Sequence, residues 1–134
     1  DFNVNVHTDS AGCIMGGSGG HSDTAAGAKL SMIIAPLFRA RLPIITGRVR
    51  CISTPGRDVD VVVTQRGVAV NPAKPDLALR LKDAGLPIVD IHELKQIAER
   101  ITGVPAVPPE GGRVVARVLS RDGEPLDVIR QLTR

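Results

Sequence analysis

The residues best suited to chemistry lie in one short stretch, Gly16-Gly17-Ser18-Gly19-Gly20-His21-Ser22-Asp23. Four glycines in five positions leave backbone N–H groups uncovered and let a ligand approach without a Cβ in the way. An apolar run ending at Ile14-Met15 leads into the loop, and Ser22, Asp23 and Thr24 after it favour a helix start. Amides converging at such a strand-to-helix junction would hold an anion, or the negative charge that grows on a thioester carbonyl under attack. A flexible structural turn is the plainer reading of the same glycines. His21 has an imidazole able to bond a carboxylate or carbonyl, and is equally a partly exposed loop histidine. Asp23 suits an N-cap or a partner of the helix dipole better than a catalytic base.

Other chemistries fail on spacing. The loop lacks the last glycine of Gly-x-Gly-x-x-Gly, and no Gly-Lys-Ser/Thr clamps a phosphate. Gly17-Ser18-Gly19 is not a nucleophile elbow, because no residue separates the first glycine from the serine. His7, His21 and His92 are scattered, with no His-x-x-x-His or Cys-x-x-Cys, so no metal site is expected. Glu93, Glu99 and Glu110 fall on a solvated helix face or in a linker, and none reads as a nucleophile. Cys13 and Cys51 make no disulfide framework and are read as small buried hydrophobes in a reducing compartment.

Composition narrows the classes further. The 134 residues are 43% hydrophobic, enough for one compact core. Phe2 and Phe38 are the only aromatics, so that core is aliphatic, and base stacking on aromatic platforms is excluded as a means of binding nucleic acid. The net charge of +3 is spread among mixed signs, and its densest stretch is Arg39, Arg41, Arg48 and Arg50. Such a stretch is a solvated face or a patch that attracts anions, such as CoA phosphates or a carboxylate substrate. No apolar run is long enough to span a bilayer, so no membrane association is expected and the cytoplasm is the default compartment.

The elements that must position the loop follow from periodicity. Residues 1–7 alternate like a strand already under way, so a fragment or a processed product is expected. Residues 11–15 form a second short strand entered through a turn at Asp9-Ser10, and a short helix of small residues through Lys29 is expected to pack close on a sheet. The run 31–35, ending at Pro36, reads as a strand buried on both faces. Further strands are expected at 44–46, 48–53 and 59–64, the last one central. A turn at 65–67 leads to a short extended piece at 68–70. A helix begins near Pro75, carries Leu77, Leu79, Leu81 and Ala84, and is closed by Gly85. A strand at 88–91 precedes an amphipathic helix over 92–102 with Leu94, Ile97, Ala98 and Ile101 inward. Residues 103–112 make a surface connection rich in Pro and Gly. Residues 113–119 and 126–132 then pair as a hairpin around Asp122-Gly123. The whole, 1–134, is read as one α/β domain.

These strings resemble the citrate lyase α subunit family. The similarity rests on 1–6, on Ile14 to His21 with 23–26, and on Ile33-Ile34-Ala35-Pro36-Leu37, Thr54-Pro55-Gly56, Val61 to Thr64 and Gly67 to Pro72. It closes on 113–116 and 121–123, so it runs in order through the whole chain. The Gly-Gly-x-Gly-Gly loop and the 63–69 segment also resemble acyl-CoA hydrolases and CoA-transferases, which often carry Tyr where this chain has Arg66. The resemblance implies a CoA-transferase-like α/β sheet flanked by helices, in the C-terminal part of a two-domain subunit. It implies exchange of acetate for citrate on an acetyl-thioester, giving a citryl-thioester that a separate lyase subunit cleaves. The thioester would be acetyl-CoA or the phosphoribosyl-dephospho-CoA group of an acyl carrier subunit, with no cofactor held by this chain. Gly16, Gly17, Ser18, Gly19 and Gly20 would line the thioester pocket, and His21 and Asp23 would orient substrate or loop. The catalytic glutamate of CoA-transferases precedes this loop, so no nucleophile is assigned among these residues. The lyase and carrier subunits and a homo-oligomer are the expected partners. An acyl-CoA hydrolase, another CoA-transferase, or a non-catalytic assembly or CoA-binding module are the alternatives. Sheet edges left open would favour dimerisation or aggregation of this chain alone.

Overall fold

A computed structural model describes residues 1–104, 106 and 111–132. Helix α1 spans His21–Gly27, α2 Pro75–Asp83 and α3 Ile91–Thr102. The strands are β1 Met32–Ile34, β2 Phe38–Arg39, β3 Leu42–Pro43, β4 Val61–Thr64, β5 Gly67–Val70, β6 Val114–Leu119 and β7 Pro125–Arg130. The expected α/β mixture, with a hairpin at the C-terminal end, is what the chain forms. Among the described residues, however, its strands fall into separate small sheets, β1-β4-β5, β2-β3 and β6-β7, rather than one.

β4 is the centre of its sheet, as its run of valines predicts. It pairs parallel with β1, matching Ile33 to Val62, and antiparallel with β5, matching Val62 to Ala69. Val62 and Ala69 bury against Phe2, Leu37, Val59, Leu94 and Ala98, so α3 and the N-terminal segment close the same core, which is aliphatic except for the phenyl ring of Phe2. A second cluster lies under the hairpin, where Cys51 packs on Val118 and Ile129. Asp127 ties the two regions by accepting from the Ile52 amide at 2.8 Å.

Several expectations need correcting. Residues 1–7 and 11–15 are not strands: Val4 bridges only Thr54, and Thr8 bridges only Ile14. Asn5 is the reason, because its side-chain oxygen takes the amides of His7 and Thr8 and diverts the backbone into a turn after one bridge. Among the described residues, 44–46, 48–53 and 88–91 form no ladder either. The amides of Ile52 and Ser53 go to the Asp127 carboxylate and the Val4 carbonyl instead, and Ile88 makes a single bridge to Val68. β1 is not buried on both faces, since Ile34 is 80% exposed. A parallel strand is enclosed only when both neighbours and both layers are present, and β1 is paired on one side.

The helices show the same contrast. α1 stops at Gly27 and buries only Ala25, against the 3-10 turn Gly56–Asp58 rather than a sheet. α2 starts on Pro75 as expected and Gly85, at φ +80°, follows its end, but it buries no side chain. Leu77, Leu79 and Leu81 are spaced by two, which points alternate residues to opposite sides of a helix, so Leu79 faces solvent. α3 is capped by Asp90, buries Leu94 and Ala98 and half-buries Ile97, but leaves Ile101 exposed. In the 103–112 connection, Pro105 and 107–110, with Glu110 among them, lie outside the described residues.

Asp60 joins three elements. Its Oδ2 accepts from the Ser31 amide at 2.9 Å and its Oδ1 pairs with Lys74 Nζ at 3.1 Å. Burial alone raises its pKa, but the Ser31 amide and then Lys74 outweigh it and hold the carboxyl below its ordinary 3.8. The unfolded chain therefore binds the proton more readily, and the stabilisation, present above that value, is lost as pH falls through the folded pKa. Asp60→Asn is expected to cost about 2 kcal/mol at neutral pH. Its deficit against the native protein should close as urea titrations move down through this acid window. A deficit independent of pH would show that the carboxylate charge is not the stabilising feature.

Candidate functional site

The approach to the glycine loop is a tight reversal. The Asp9 carboxylate accepts from the Cys13 amide at 2.8 Å, and the Asp9 amide donates to the Cys13 carbonyl at 3.0 Å. The turn brings His7 beside the start of the loop: Met15 N–H donates to the His7 carbonyl at 2.8 Å, and His7 Nδ1 meets the Gly16 carbonyl at 3.1 Å. A carbonyl only accepts, so His7 carries its proton on Nδ1. His7 Nε2 is buried without a partner among the described residues.

The exit from the loop is tied as firmly. His21 N–H donates to the Ser18 carbonyl at 3.2 Å, and Thr24 N–H donates to the Gly20 carbonyl at 2.8 Å. His21 Nδ1 lies 2.7 Å from Oγ1 of Thr54, which is fully buried. Thr54 is itself locked to Val4 by backbone bonds of 2.9 Å and 3.2 Å. An imidazole thus stands at each end of the loop, and each is held through Nδ1.

Between these ties the backbone is open. None of the amides from Gly16 to Gly20 finds a partner among the described residues. Gly19 has φ +55° and Gly20 φ −84°, a change of sign that lets successive N–H groups point to one side. Only Gly19 needs glycine for its conformation. A Cβ on Gly16 or Gly17 would meet nothing within 4 Å, so the protein's own packing does not explain the missing side chains there. What an absent Cβ leaves room for is something that approaches from outside.

The other expected site residues fall out differently. Ser18 is half-buried, while Asp23 is exposed in the first turn of α1. Asp23 is not the N-cap: that position is Gly20, without a side-chain cap. Of the arginine stretch, Arg50 reaches back to the Ala11 carbonyl at 3.4 Å. Arg66 sits exposed on the turn between β4 and β5. Cys13 is exposed, contrary to expectation, because the reversal at 9–13 turns it outward. Cys51 is buried as expected, and burial with the nearby Asp127 charge pushes its thiol up to about 11. It is a packing residue rather than a nucleophile. Two concavities, one lined by Asp1, Phe2, Asn71, Pro72 and 90–92 and one against α3, do not include the loop. The loop is a stretch of amides unpaired among the described residues, an open saddle along the backbone. No helix is long and apolar enough to cross a membrane among the described residues.

Spacing along the chain misses two residues of this arrangement. Thr54 lies far from the loop in sequence and is placed only by its bridge to Val4. His7 was within reach, since a turn at Asp9-Ser10 sets position 7 opposite 15.

The family model described as "Citrate lyase, alpha subunit (CitF)" matches residues 1–132. The citrate lyase alpha chain of Klebsiella pneumoniae is 54% identical over 132 residues, covering 98% of this chain and 26% of its own length. That of Escherichia coli strain K12 is 49% identical over 131 residues, with the same coverage of each. A crystal structure from Streptococcus mutans, provisionally described as the alpha subunit of citrate lyase in complex with citrate, matches with a TM-score of 0.94. It is 47% identical and is matched over 99% of this chain and 26% of that one. The chain spans about a quarter of the length of the curated relatives it matches. On a match that runs through both the glycine loop and the C-terminal hairpin, the chain belongs to the citrate lyase alpha subunit family.

Proposed function

We propose that this chain is one α/β domain, 1–134, from the C-terminal part of a two-domain transferase subunit that exchanges acetate for citrate on an acetyl-thioester. The thiol passes from the acetyl carbon to a citrate carboxyl carbon: the acetyl C–S bond breaks and a citryl C–S bond forms. Acetate leaves carrying the oxygen that the citrate carboxylate gives up, and the citryl-thioester then passes to a lyase subunit for cleavage. The thioester is acetyl-CoA or the phosphoribosyl-dephospho-CoA group of an acyl carrier subunit, a co-substrate rather than a resident cofactor. The compartment is the cytoplasm, and the assembly is an oligomer with the lyase and carrier subunits.

The observation that carries this reading is the open saddle from Gly16 to Gly20. Its amides are unpaired among the described residues, and its Gly16 and Gly17 have no internal reason to lack a side chain. Fixed amide dipoles aimed at a growing oxyanion stabilise acyl transfer without reorganisation. Ser18 and the imidazole of His21 stand at its exit, and Asp23 is two residues further on, in the first turn of α1. Among the described residues no carboxylate is placed at the loop as a nucleophile, and none is assigned in this chain. Family membership adds support, and so does the citrate bound in the Streptococcus mutans relative.

The test is citrate-dependent transfer from acetyl-CoA by the full-length subunit, with Gly17→Val alongside. Native protein should form citryl-CoA and free acetate in equal amounts. Gly17→Val should lower kcat/KM by roughly tenfold, since steric exclusion of a ligand costs about 1–3 kcal/mol. Its melting temperature should move little, because a Cβ there meets no protein atom within 4 Å. Loss of acetyl-CoA to water without citrate would replace this reading with a hydrolase. Binding of the carrier subunit without any turnover would leave an assembly module.

A further inference from the structure

We infer that Thr54 is a positioning residue for His21: its buried hydroxyl donates to Nδ1 and so fixes the imidazole with its proton on Nε2. The ligand that Nε2–H would serve rests on the acyl-transfer reading, but the tautomer rests on the hydrogen bonding alone.

A threonine hydroxyl has one proton to give and lone pairs to accept with, so the 2.7 Å contact admits two arrangements. If His21 Nδ1–H donated to Oγ1, the hydroxyl proton would need another acceptor. Thr54 is 0% exposed, and its Oγ1 has no other partner among the described residues. A buried donor left unmade is the costly arrangement, whereas an unused lone pair on oxygen is cheap. The hydroxyl therefore donates, Nδ1 accepts, and the ring proton sits on Nε2. His21 Nε2 is not among the buried unpartnered atoms, so it remains open to an incoming group.

His7 supplies the contrast within the same site. Its Nδ1 faces the Gly16 carbonyl and must carry the proton. The two imidazoles flanking one loop therefore hold opposite tautomers, each set by the group facing Nδ1. For His21 the result is a neutral N–H donor, suited to the oxygen of a carboxylate or of a thioester carbonyl gaining charge. The backbone of Thr54 keeps its bonds to Val4 whatever its side chain is, so the hydroxyl's part is separable from the fold.

The experiment uses the full-length subunit with 15N-labelled histidine, the His21 ring signals being identified by their loss in His21→Gln. Native protein should show Nε2 protonated and Nδ1 unprotonated. Thr54→Val, which is isosteric, should turn this into a mixture of tautomers. It should also lower kcat for citrate-dependent transfer by about tenfold, with KM within about twofold of native. Thr54→Ser keeps the hydroxyl and should restore both readouts. A proton on Nδ1 in the native protein overturns the inference, as does a Thr54→Val spectrum identical to native. If Thr54→Val does not fold, the native and Thr54→Ser spectra still decide. Native protein with the expected tautomer but no citrate-dependent transfer would sink the acyl-transfer reading while upholding Thr54's role.

Discussion

His21→Ala in the full-length subunit is expected to lower kcat/KM for citrate-dependent transfer by about 100-fold, the usual cost of removing one donor from an oxyanion site. The residue stands where the glycine saddle ends, with Nδ1 held by Thr54 and Nε2 open. Truncation removes that donor and leaves the amides behind it in place. The fold should tolerate the change. α1 buries only Ala25, and water can enter the space left by a half-buried ring to meet the Thr54 hydroxyl. A loss of about 1 kcal/mol in a urea titration is therefore expected. Transfer kinetics equal to native would remove His21 from the site, and the case for the loop would then stand on its amides alone. A fall in kcat with KM unchanged would place the contact in the transition state rather than in substrate binding.

Gly56→Ala should act on stability first, costing about 3 kcal/mol or more in the same titration. Gly56 does not have a positive φ, so backbone strain is not the reason. An added Cβ would sit 1.9 Å from the Asp1 carbonyl oxygen and 2.9 Å from the Phe2 carbonyl carbon. Both are main-chain atoms, which cannot swing aside as a long side chain would. Relief requires residues 1–3 to move. That movement would draw Phe2, held at φ +58° in the core, away from Leu37 and Leu94, and break the 2.8 Å bond from the Gly56 amide to Asn3. The Val4–Thr54 bridge lies next to this contact, so the support behind His21 would loosen too. Gly56→Ala is thus expected to lower stability and transfer together, whereas Gly17→Val lowers transfer alone. An alanine variant as stable as native would show that 1–3 shifts at little cost.

Where an element is specified by near neighbours, it could be read directly from the residues. Pro75 opens α2, Asp90 caps α3, the valines of 61–63 make a central strand, and Asp122-Gly123 turns the C-terminal hairpin. The misreadings came where a local pattern met a distant competitor. The alternation of 1–7 gave way because the Asn5 side chain took amides that a ladder would have used. The strand expected at 48–53 gave way because the Asp127 carboxylate, far along the chain, claimed the Ile52 amide. Cys13 is small and apolar enough to bury, but the reversal anchored by Asp9 turned it outward.

The candidate site divides along the same line. By itself the sequence determined that four glycines crowd five positions, that His21 follows them, and that the string belongs with one family of subunits. Glycine content and local order need no partner to be seen, since they are properties of adjacent residues. Tertiary structure alone decided that Thr54 holds the exit of the loop, whereas His7 at its entrance follows from the local turn at Asp9-Ser10. It also decided that Gly16 and Gly17 face open space while Gly56, equally plain as a letter, is pressed against another backbone. Hydrogen bonds and steric contacts act over a few ångströms, and which residues come that close is set by chain reversals and packing rather than by the local pattern at either residue.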